Sequence, residues 1–184
     1  ARRYGVNVIP LDVIWREIRP FRDLLGLLRL VLYLRSNRYT IVHTHTTKAG
    51  FIGRIAAWLA GVPVIIHTAH GFAFHESSPK ARIAFFVAMD RIASWFCDKV
   101  VTVSHFHAGW GRRLGIAAPW KITPIPNGIP DPVPVSSQRR LQIRHSLGLC
   151  DDSVLLLTHG RLAPEKGLED LLQAVAQIRE RTPK

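Results

Sequence analysis

The chain has 184 residues, 47% of them apolar, which is enough to bury the core of one domain and part of another. This apolar fraction excludes a disordered chain, and 25 Lys and Arg against 13 Asp and Glu exclude an acidic one. Residues 1–130 hold 17 basic and 6 acidic side chains, whereas residues 131–184 hold 8 and 7. The excess positive charge of the first part predicts an anionic partner there, either membrane lipid, nucleic acid or a phosphorylated substrate.

Short apolar runs alternate with segments of helical periodicity along the chain. The runs predict strands at Val6–Ile9, Ile41–His43, Val62–His67, Lys99–Val103, Ile122–Ile125 and Val154–Thr158. The periodic segments predict helices at residues 20–36, 49–60, 80–97, 105–114, 137–147 and 168–181. Such regular alternation predicts an α/β fold with parallel sheets and helices on both faces.

A proline-rich segment, residues 124–135, contains five prolines and the pair Asn127-Gly128. Because proline cannot continue a central strand or a helix, this segment predicts a connection between two domains. We place the domains at residues 1–130 and 131–184. The second holds too few elements to cover a sheet, and the first opens directly into a strand, so we expect a fragment at both ends.

The first predicted helix, residues 20–36, carries Arg22 and Arg29 on an otherwise apolar sequence. A narrow basic stripe on an apolar helix is typical of contact with an anionic membrane surface. It is more often found on a core helix with one solvated edge, and the sequence leaves both open.

Polar side chains follow two predicted strands. His45 comes after the run that ends at His43, and His70-Gly71 come after the run that ends at His67. The carboxyl ends of parallel strands form the ligand crevice, so His45, His70 and Gly71 are candidate cleft residues. Phe72 and Phe74 would supply apolar walls. The alternative for His70 is a hydrogen-bonded histidine inside a turn.

The segment Thr46-Thr47-Lys48 opens the second predicted helix. Thr46 or Thr47 is expected to cap that helix. Lys48 near a helix start is electrostatically unfavourable unless an anion is present, which favours a place for Lys48 in the cleft. Six of the nine histidines form three close pairs, but none has the spacing of a known zinc site, so we expect no metal.

Between the last predicted strand and the last predicted helix lies a turn, Thr158–Gly167, that carries Gly160, Arg161 and Lys166. A strand-to-helix turn presents backbone N–H groups and the positive end of a helix dipole, which together bind phosphates. Arg161 offers a planar fork and Lys166 a point charge, a combination suited to a diphosphate. The alternative is a surface loop whose cations pair with Glu165 or Glu169.

The cysteines and the apolar segments indicate the cellular compartment. Cys97 and Cys150 are the only cysteines, too few for a disulfide framework, and we expect reduced thiols. No run reaches the eighteen or so apolar residues of a membrane-spanning helix, and residues 1–5 lack the apolar core of a signal peptide. These features predict a cytoplasmic protein.

Five motifs in order resemble those of retaining GT-B glycosyltransferases, most closely the group that builds bacterial exopolysaccharide, capsule and lipopolysaccharide. The motifs are distributed across nearly the whole chain, at residues 41–50, 64–72, 101–104, 125–129 and 160–167. The resemblance implies two Rossmann-like domains facing across a cleft, the first binding the acceptor and the second a nucleoside-diphosphate-sugar. It implies a hexosyltransferase whose acceptor is a polyprenyl-diphosphate-linked or other glycan.

The resemblance also implies roles for particular residues. Arg161 and Lys166, with Gly160, match the donor-binding turn that neutralises the diphosphate without a metal ion or other cofactor. His70 matches the catalytic histidine near the transferred sugar. The family's first strand with its glycine-rich loop would precede Ala1, and its carboxylate pair would follow Lys184. We therefore expect these 184 residues alone to have no useful transferase activity.

Two other functions remain compatible with the sequence. One is a nucleotide-sugar epimerase of the same architecture. The other is a non-catalytic module that uses the basic first part to bind a membrane surface or a nucleic acid. Recognition helices and aromatic stacking platforms are not recognisable in the sequence, so we expect no nucleic acid as partner.

Overall fold

The structure, a computed structural model, describes residues 5, 7–15, 17, 19–150, 153–163 and 166–181. The chain divides into two compact units, Ala1–Ile129 and Pro130–Lys184. The division falls inside the proline-rich segment. The roles expected for the two parts, acceptor side and donor side, stay predictions.

The first unit alternates helices and strands. Its elements are α1 (Pro20–Asn37), β1 (Ile41–His45), α2 (Thr47–Leu59), β2 (Val64–Ala69), α3 (Lys80–Ser94), β3 (Lys99–Thr102), α4 (His105–Arg113), a short 3-10 helix (Pro119–Lys121) and β4 (Ile122–Pro124). The four strands pair in parallel in the order β1-β2-β3-β4. The predicted α/β class is therefore confirmed.

The strand predicted at Val6–Ile9 is wrong for its described part. Residues 7–9 are irregular and mostly exposed, and Val6 lies outside the described residues. An apolar run becomes a strand only where a neighbouring strand accepts and donates its backbone hydrogen bonds. No described strand pairs with residues 7–9.

Burial alternates along the strands, so one face of the sheet is covered much more completely than the other. Fully or nearly fully buried on the covered face are Thr44, Ile65, His67, Ala69, Val100, Thr102 and Ile122. Residues that alternate with them, such as His43 and Lys99, are exposed. The sequence predicted helices on both faces of the sheet. In the described first unit this prediction holds for one face.

Small residues bring α2 against this covered face. A Cβ added at Gly50 would lie 2.4 Å from Cε1 of His67, and one at Gly53 would lie 2.9 Å from Cγ2 of Thr44. Ala56 and Ala57 are completely buried beside them. Gly50 and Gly53 permit so close an approach because a glycine side chain is a single hydrogen atom.

The second unit contains two described helices, α5 (Ser137–Ser146) and α6 (Leu168–Arg181). The strand predicted at Val154–Thr158 is wrong, because this segment is irregular and pairs with no described strand. Val154 and Leu157 are each 86% exposed, which fits a segment without a neighbouring strand to bury it. The apolar run at residues 154–158 predicted a buried strand, but the described second unit contains no strand with which it could pair.

Candidate functional site

Two histidines meet where β1 and β2 end. Nδ1 of His45 lies 3.0 Å from Nε2 of His70, and the two rings stack with centroids 5.2 Å apart and planes 27° apart. Parallel pairing places His45 opposite Thr68, so His70 extends two residues further along the same edge. The structure thus brings together two candidate cleft residues that are 25 positions apart in sequence.

The geometry of this pair restricts its protonation. A hydrogen bond between Nδ1 of His45 and Nε2 of His70 needs a proton on only one of these nitrogens. Burial lowers the pKa of His45, and the nearby His43 and His70 lower it further. His45 is therefore held neutral near pH 7, so its ring carries one N–H donor and one acceptor nitrogen at this strand edge.

Further cross-strand bonds hold the strand ends in place. Nε2 of His43 lies 2.7 Å from Oγ1 of Thr68, and Oγ1 of Thr44 lies 3.0 Å from Nδ1 of His67. His67 is buried on the α2 side of the sheet, and its burial, together with the charge of Arg54, lowers its pKa to about 3. His67 is consequently a neutral structural histidine, which fixes the backbone that carries His70.

A pocket of about 320 Å³ opens beside His70. It is lined by the strand ends, the start of α2 and residues of α2 and α3, namely Thr46, Thr47, Arg54, His67, Ala69, His70, Gly71, Phe72, Asp90, Val100 and Ile116. Gly71 has φ +155°, in the region that favours glycine, and a Cβ there would meet no atom closer than 4.0 Å. The chain beyond His70 therefore turns with a conformation suited to glycine and leaves room beside the pocket.

An aromatic cluster lies beside the pocket, and of the two residues predicted as apolar walls Phe72 lines the pocket and Phe74 lies behind it. These two rings stack at 5.4 Å, and both meet the Trp110 ring edge-on. Phe74 is buried, whereas Phe72 lines the pocket. Phe72 gives the pocket an apolar side next to its polar strand edge.

Arg54 is the residue of the pocket that the sequence analysis missed. Its side chain is completely buried, with Nε donating to the Gly50 carbonyl at 2.9 Å and Nη2 lying 3.4 Å from Oδ1 of Asp90. Burial raises the pKa of Asp90, and the Arg54 guanidinium opposes that shift. A signal was present in the sequence, because Arg54 is four residues after Gly50 and so belongs to the small, buried face of α2.

Lys48 lies outside the pocket beside His70. Its Nζ forms an ion pair with Oδ1 of Asp23 at 2.7 Å and donates to the carbonyls of Trp15 and Glu17. Hydrogen bonding from Lys48 lowers the pKa of Asp23. The anion that offsets Lys48 near this helix start is thus a carboxylate of α1, and Lys48 does not line the pocket beside His70. Its assignment to the acceptor stays a prediction.

Thr46 precedes α2 with φ +65°, a conformation that costs a non-glycine residue energy. Its side chain forms no capping hydrogen bond, so the expectation that it caps α2 is wrong. Ser104, in contrast, accepts from the His107 N–H at 3.1 Å and caps α4.

The donor turn is described in part, because residues 164 and 165 lie outside the described residues. Carbon atoms of the Lys166 side chain pass 3.8–3.9 Å from the position of a Cβ on Gly160. Gly160 and Lys166 are therefore neighbours in space. Gly167, with φ +61°, accepts at its carbonyl from the Leu171 N–H and leads into α6. The joint role of Gly160, Arg161 and Lys166 stays a prediction.

The described residues also bear on metal binding, membrane crossing and thiol chemistry. These contain no group of three or more histidine, cysteine, aspartate or glutamate side chains arranged to hold a metal ion. None of the helices in the described part of the chain is both long and apolar enough to cross a bilayer. Cys97 is a buried free thiol, and Cys150 is an exposed one.

Sequence comparison identifies the family of the chain. The profile of the glycosyl transferase 4-like domain matches residues 1–128. The chain belongs to this glycosyltransferase family. A relative from Escherichia coli, UDP-Gal:alpha-D-GlcNAc-diphosphoundecaprenol alpha-1,3-galactosyltransferase, is 32% identical over 163 residues, which are 88% of this chain and 42% of that protein.

Further comparisons agree with this membership. The capsular polysaccharide biosynthesis glycosyltransferase CapM of Staphylococcus aureus is 27% identical over 91% of this chain and 44% of its own length. The crystal structure of Anabaena Alr3699/HepE in complex with UDP and glucose shares the fold, with a TM-score of 0.68, 21% identity, and coverage of 88% of this chain and 42% of that one. The predicted GT-B architecture is confirmed, and the chain spans less than half the length of these proteins.

Proposed function

We propose that the chain is part of an enzyme that transfers a hexose from a nucleoside-diphosphate-sugar to a lipid-diphosphate-linked glycan during cell-surface polysaccharide synthesis. The observation that carries this proposal is the glycosyl transferase 4-like match over residues 1–128, in a chain whose parallel sheet ends at the His45–His70 pair. The names of the relatives supply the substrate classes, since one uses UDP-Gal and a diphosphoundecaprenol acceptor.

In this proposal the leaving group is a nucleoside diphosphate, whose negative charge grows as the glycosidic bond breaks. Arg161 and Lys166 stabilise that charge, and Gly160 lets the diphosphate approach the backbone. The adjacency of Gly160 and the Lys166 side chain supports this arrangement. Two fixed cations supply the charge that a divalent metal supplies in other transferases, so the proposed reaction uses no metal or other cofactor, and the motif resemblance favours retention of configuration.

His70 is proposed to contact the transferred sugar. Its exposed ring stands at the carboxyl end of β2 beside a pocket of about 320 Å³, and His45 orients it through the 3.0 Å bond. Gly71 gives the ligand close access to the backbone. His45 and Lys48 are assigned to the acceptor side, His45 through its place at the strand edge and Lys48 through its cationic side chain.

Localisation is part of the same proposal. Two free thiols favour the reducing cytoplasm, and a lipid-linked acceptor requires the enzyme to work at the inner face of the membrane. Helix α1 supports peripheral binding, because it presents Phe21, Leu25, Leu28 and Leu32 at spacings of four, three and four residues, each at least half exposed. Arg22 and Arg29 flank this apolar stripe and suit anionic lipid headgroups.

The experiment is donor binding by the product of the full open reading frame that encodes this chain. Arg161→Ala and Lys166→Ala are each expected to weaken binding of the nucleotide-sugar by at least about tenfold, because a charge contact to a sheltered anion is worth about 2 kcal/mol or more. Arg139→Ala, an exposed cation of α5, serves as the matched control and should leave affinity unchanged. Unaltered affinity in both turn variants contradicts the proposal.

The same assay, run with an acceptor, also tests the expected inactivity of these residues. The 184-residue chain alone is expected to transfer no sugar, since it spans 42% of the length of the galactosyltransferase relative. Sugar transfer by the chain at the rate of the full-length product contradicts that expectation. Formation of an epimerised nucleotide-sugar without an acceptor would identify an epimerase instead.

A further inference from the structure

Arg54 carries a hydrogen-bond donor that the fold does not use. Nη1 of its guanidinium is buried and has no hydrogen-bond partner, while Nε is bonded to Gly50 and Nη2 lies 3.4 Å from Asp90. Buried donors are normally satisfied, because leaving one unpaired costs about 1–3 kcal/mol and more for a charged group. An unpaired guanidinium N–H in the wall of a pocket therefore points to a ligand with acceptor oxygens.

The start of α2 lines the same pocket through Thr46 and Thr47. The first hydrogen bond of this helix runs from the Gly50 N–H to the Thr46 carbonyl, so the N–H groups of residues 47–49 have no partner within the helix. The Thr46 side chain does not cap them. The positive end of the helix dipole and a buried arginine thus converge on one pocket, an arrangement that binds phosphates in many proteins.

The charged groups around the pocket determine whether the Arg54 guanidinium can bind an anion. Asp90 lines the pocket and pairs with Arg54 over a long 3.4 Å contact. Burial raises the pKa of the Cys97 thiol, and Arg54 opposes this through its charge and side-chain hydrogen bonding, although Nη1 itself forms no hydrogen bond of normal geometry. His67 is neutral, and the Lys48 ammonium is engaged by Asp23. The guanidinium is therefore only partly compensated by one carboxylate, which leaves Nη1 and the helix N-terminus able to bind an anion.

We propose that this pocket is a phosphate subsite, in which Nη1 of Arg54 and the first-turn N–H groups of α2 bind oxygens of one phosphate group. The subsite deepens the proposed transferase function, on which its biological meaning rests, by assigning a phosphate to the first unit. Arg54 supplies the buried charge, α2 supplies backbone donors, and His70 stands at the pocket mouth. The phosphate comes either from the diphosphate of the lipid-linked acceptor or from the nucleotide.

The test is calorimetric binding of inorganic pyrophosphate to the 184-residue chain. Arg54→Met is expected to weaken binding by at least about thirtyfold, because removing one partner of a buried charge contact costs 2 kcal/mol or more. Arg113→Met removes the same charge from an exposed position at the end of α4 and should change affinity less than about twofold. Asp90→Asn should tighten binding, since it removes the competing carboxylate.

A second pair of variants keeps the test valid if Arg54→Met alone fails to fold with Asp90 unpaired. In the Asp90→Asn background, Arg54→Met leaves no unpaired buried charge, and the double variant should melt cooperatively yet lose pyrophosphate binding relative to Asp90→Asn. If the Asp90→Asn protein and the double variant bind pyrophosphate with equal affinity, the proposal is overturned. Absence of saturable binding to the unsubstituted chain up to about 10 mM pyrophosphate, a free energy of binding weaker than about 3 kcal/mol, also overturns it.

Two further ligands identify the source of the phosphate. A short-chain prenyl diphosphate represents the acceptor, and UDP represents the donor. Selective weakening of prenyl diphosphate binding by Arg54→Met assigns the subsite to the acceptor, and selective weakening of UDP binding assigns it to the donor. The experiment measures binding, so a full-length product that transfers no sugar would not contradict the subsite. Conversely, a chain without the subsite would not contradict the donor turn of the second unit, which the Arg161 and Lys166 variants test.

Discussion

At the residue scale, His67 shows how one buried side chain makes the fold depend on pH. Its ring packs against Gly50, bonds Thr44 and has a pKa of about 3, lowered first by burial and then by Arg54. In the unfolded chain the pKa of histidine is about 6.5, so the unfolded state binds more protons between pH 6.5 and 3. The stability that neutral His67 contributes is complete above pH 6.5 and is lost as the pH falls toward 3.

We predict that His67→Asn, which preserves a hydrogen-bonding group near the position of Nδ1, flattens this pH dependence. Between pH 6.5 and 5 the free energy of unfolding of the unsubstituted chain should fall by about 2 kcal/mol more than that of the variant, at about 1.4 kcal/mol per pH unit. Urea unfolding at the two pH values measures the difference. His105→Asn, at an exposed histidine of α4, should retain the original slope. Identical slopes for the His67 variant and the unsubstituted chain would refute the assignment.

Arg54 is the other residue whose role follows from burial. A guanidinium at this depth is retained only if its donors are satisfied, and the structure accounts for two of its three nitrogen atoms. The proposed phosphate accounts for the third. Residue identity alone did not reveal this, because an arginine in a helix is usually solvated.

At the element scale, the contact between α2 and the sheet depends on hydrogen side chains. We predict that Gly50→Ala destabilises the chain by about 1–3 kcal/mol, because the new Cβ would stand 2.4 Å from Cε1 of the buried His67 ring. This cost outweighs the gain in helix propensity, which is at most about 1 kcal/mol. Thermal unfolding with a two-state fit measures the change.

Gly109→Ala is the matched control, since it changes a glycine inside α4. Apart from the backbone of its own helix, a Cβ at this position would meet no atom closer than Nη1 of Arg113 at 3.8 Å, an ordinary contact. The substitution should be neutral or stabilising by up to about 1 kcal/mol. A Gly50→Ala chain as stable as the Gly109→Ala chain would show that α2 can move away from the sheet without cost.

At the scale of the whole molecule, the first unit combines an excess of basic residues with an exposed apolar stripe on α1. Phe21 is 87% exposed and Leu32 66%, while Val31 and Leu34 of the same helix are buried against the core. The stripe lies opposite the packed side of the helix, where it is free to contact a surface. Bilayer contact buries the stripe and places Arg22 and Arg29 at the level of the lipid headgroups.

We predict that the chain binds vesicles containing anionic phospholipid and that Leu25→Glu with Leu28→Glu reduces partitioning by at least about tenfold, because two apolar contacts are lost and two negative charges added. Vesicle co-sedimentation provides the measurement. Leu172→Glu with Ile178→Glu, at two exposed positions of α6, should have a much smaller effect. Equal partitioning of the two double variants would exclude α1 as the membrane contact.

The sequence by itself determined the α/β class, the order of the elements and the family. Apolar runs separated by periodic helical segments identified β1 to β4 and all six helices within a few residues, because period and turn residues are local properties. It also located His45 and His70 at strand ends, since parallel strands place their carboxyl ends on one edge.

Only the tertiary structure decided which residues are partnered. It showed that Asp23 neutralises Lys48, that Thr46 leaves α2 uncapped, and that Arg54 is buried beside Asp90, which is 36 positions away in sequence. It also showed that the apolar run at residues 154–158 pairs with no described strand. Three of these findings have one physical reason: ion pairs, burial and strand pairing depend on groups that are distant in sequence, and no local pattern records whether those partners are present. The missing cap of α2 accompanies the backbone conformation of Thr46, which the residue type alone does not determine.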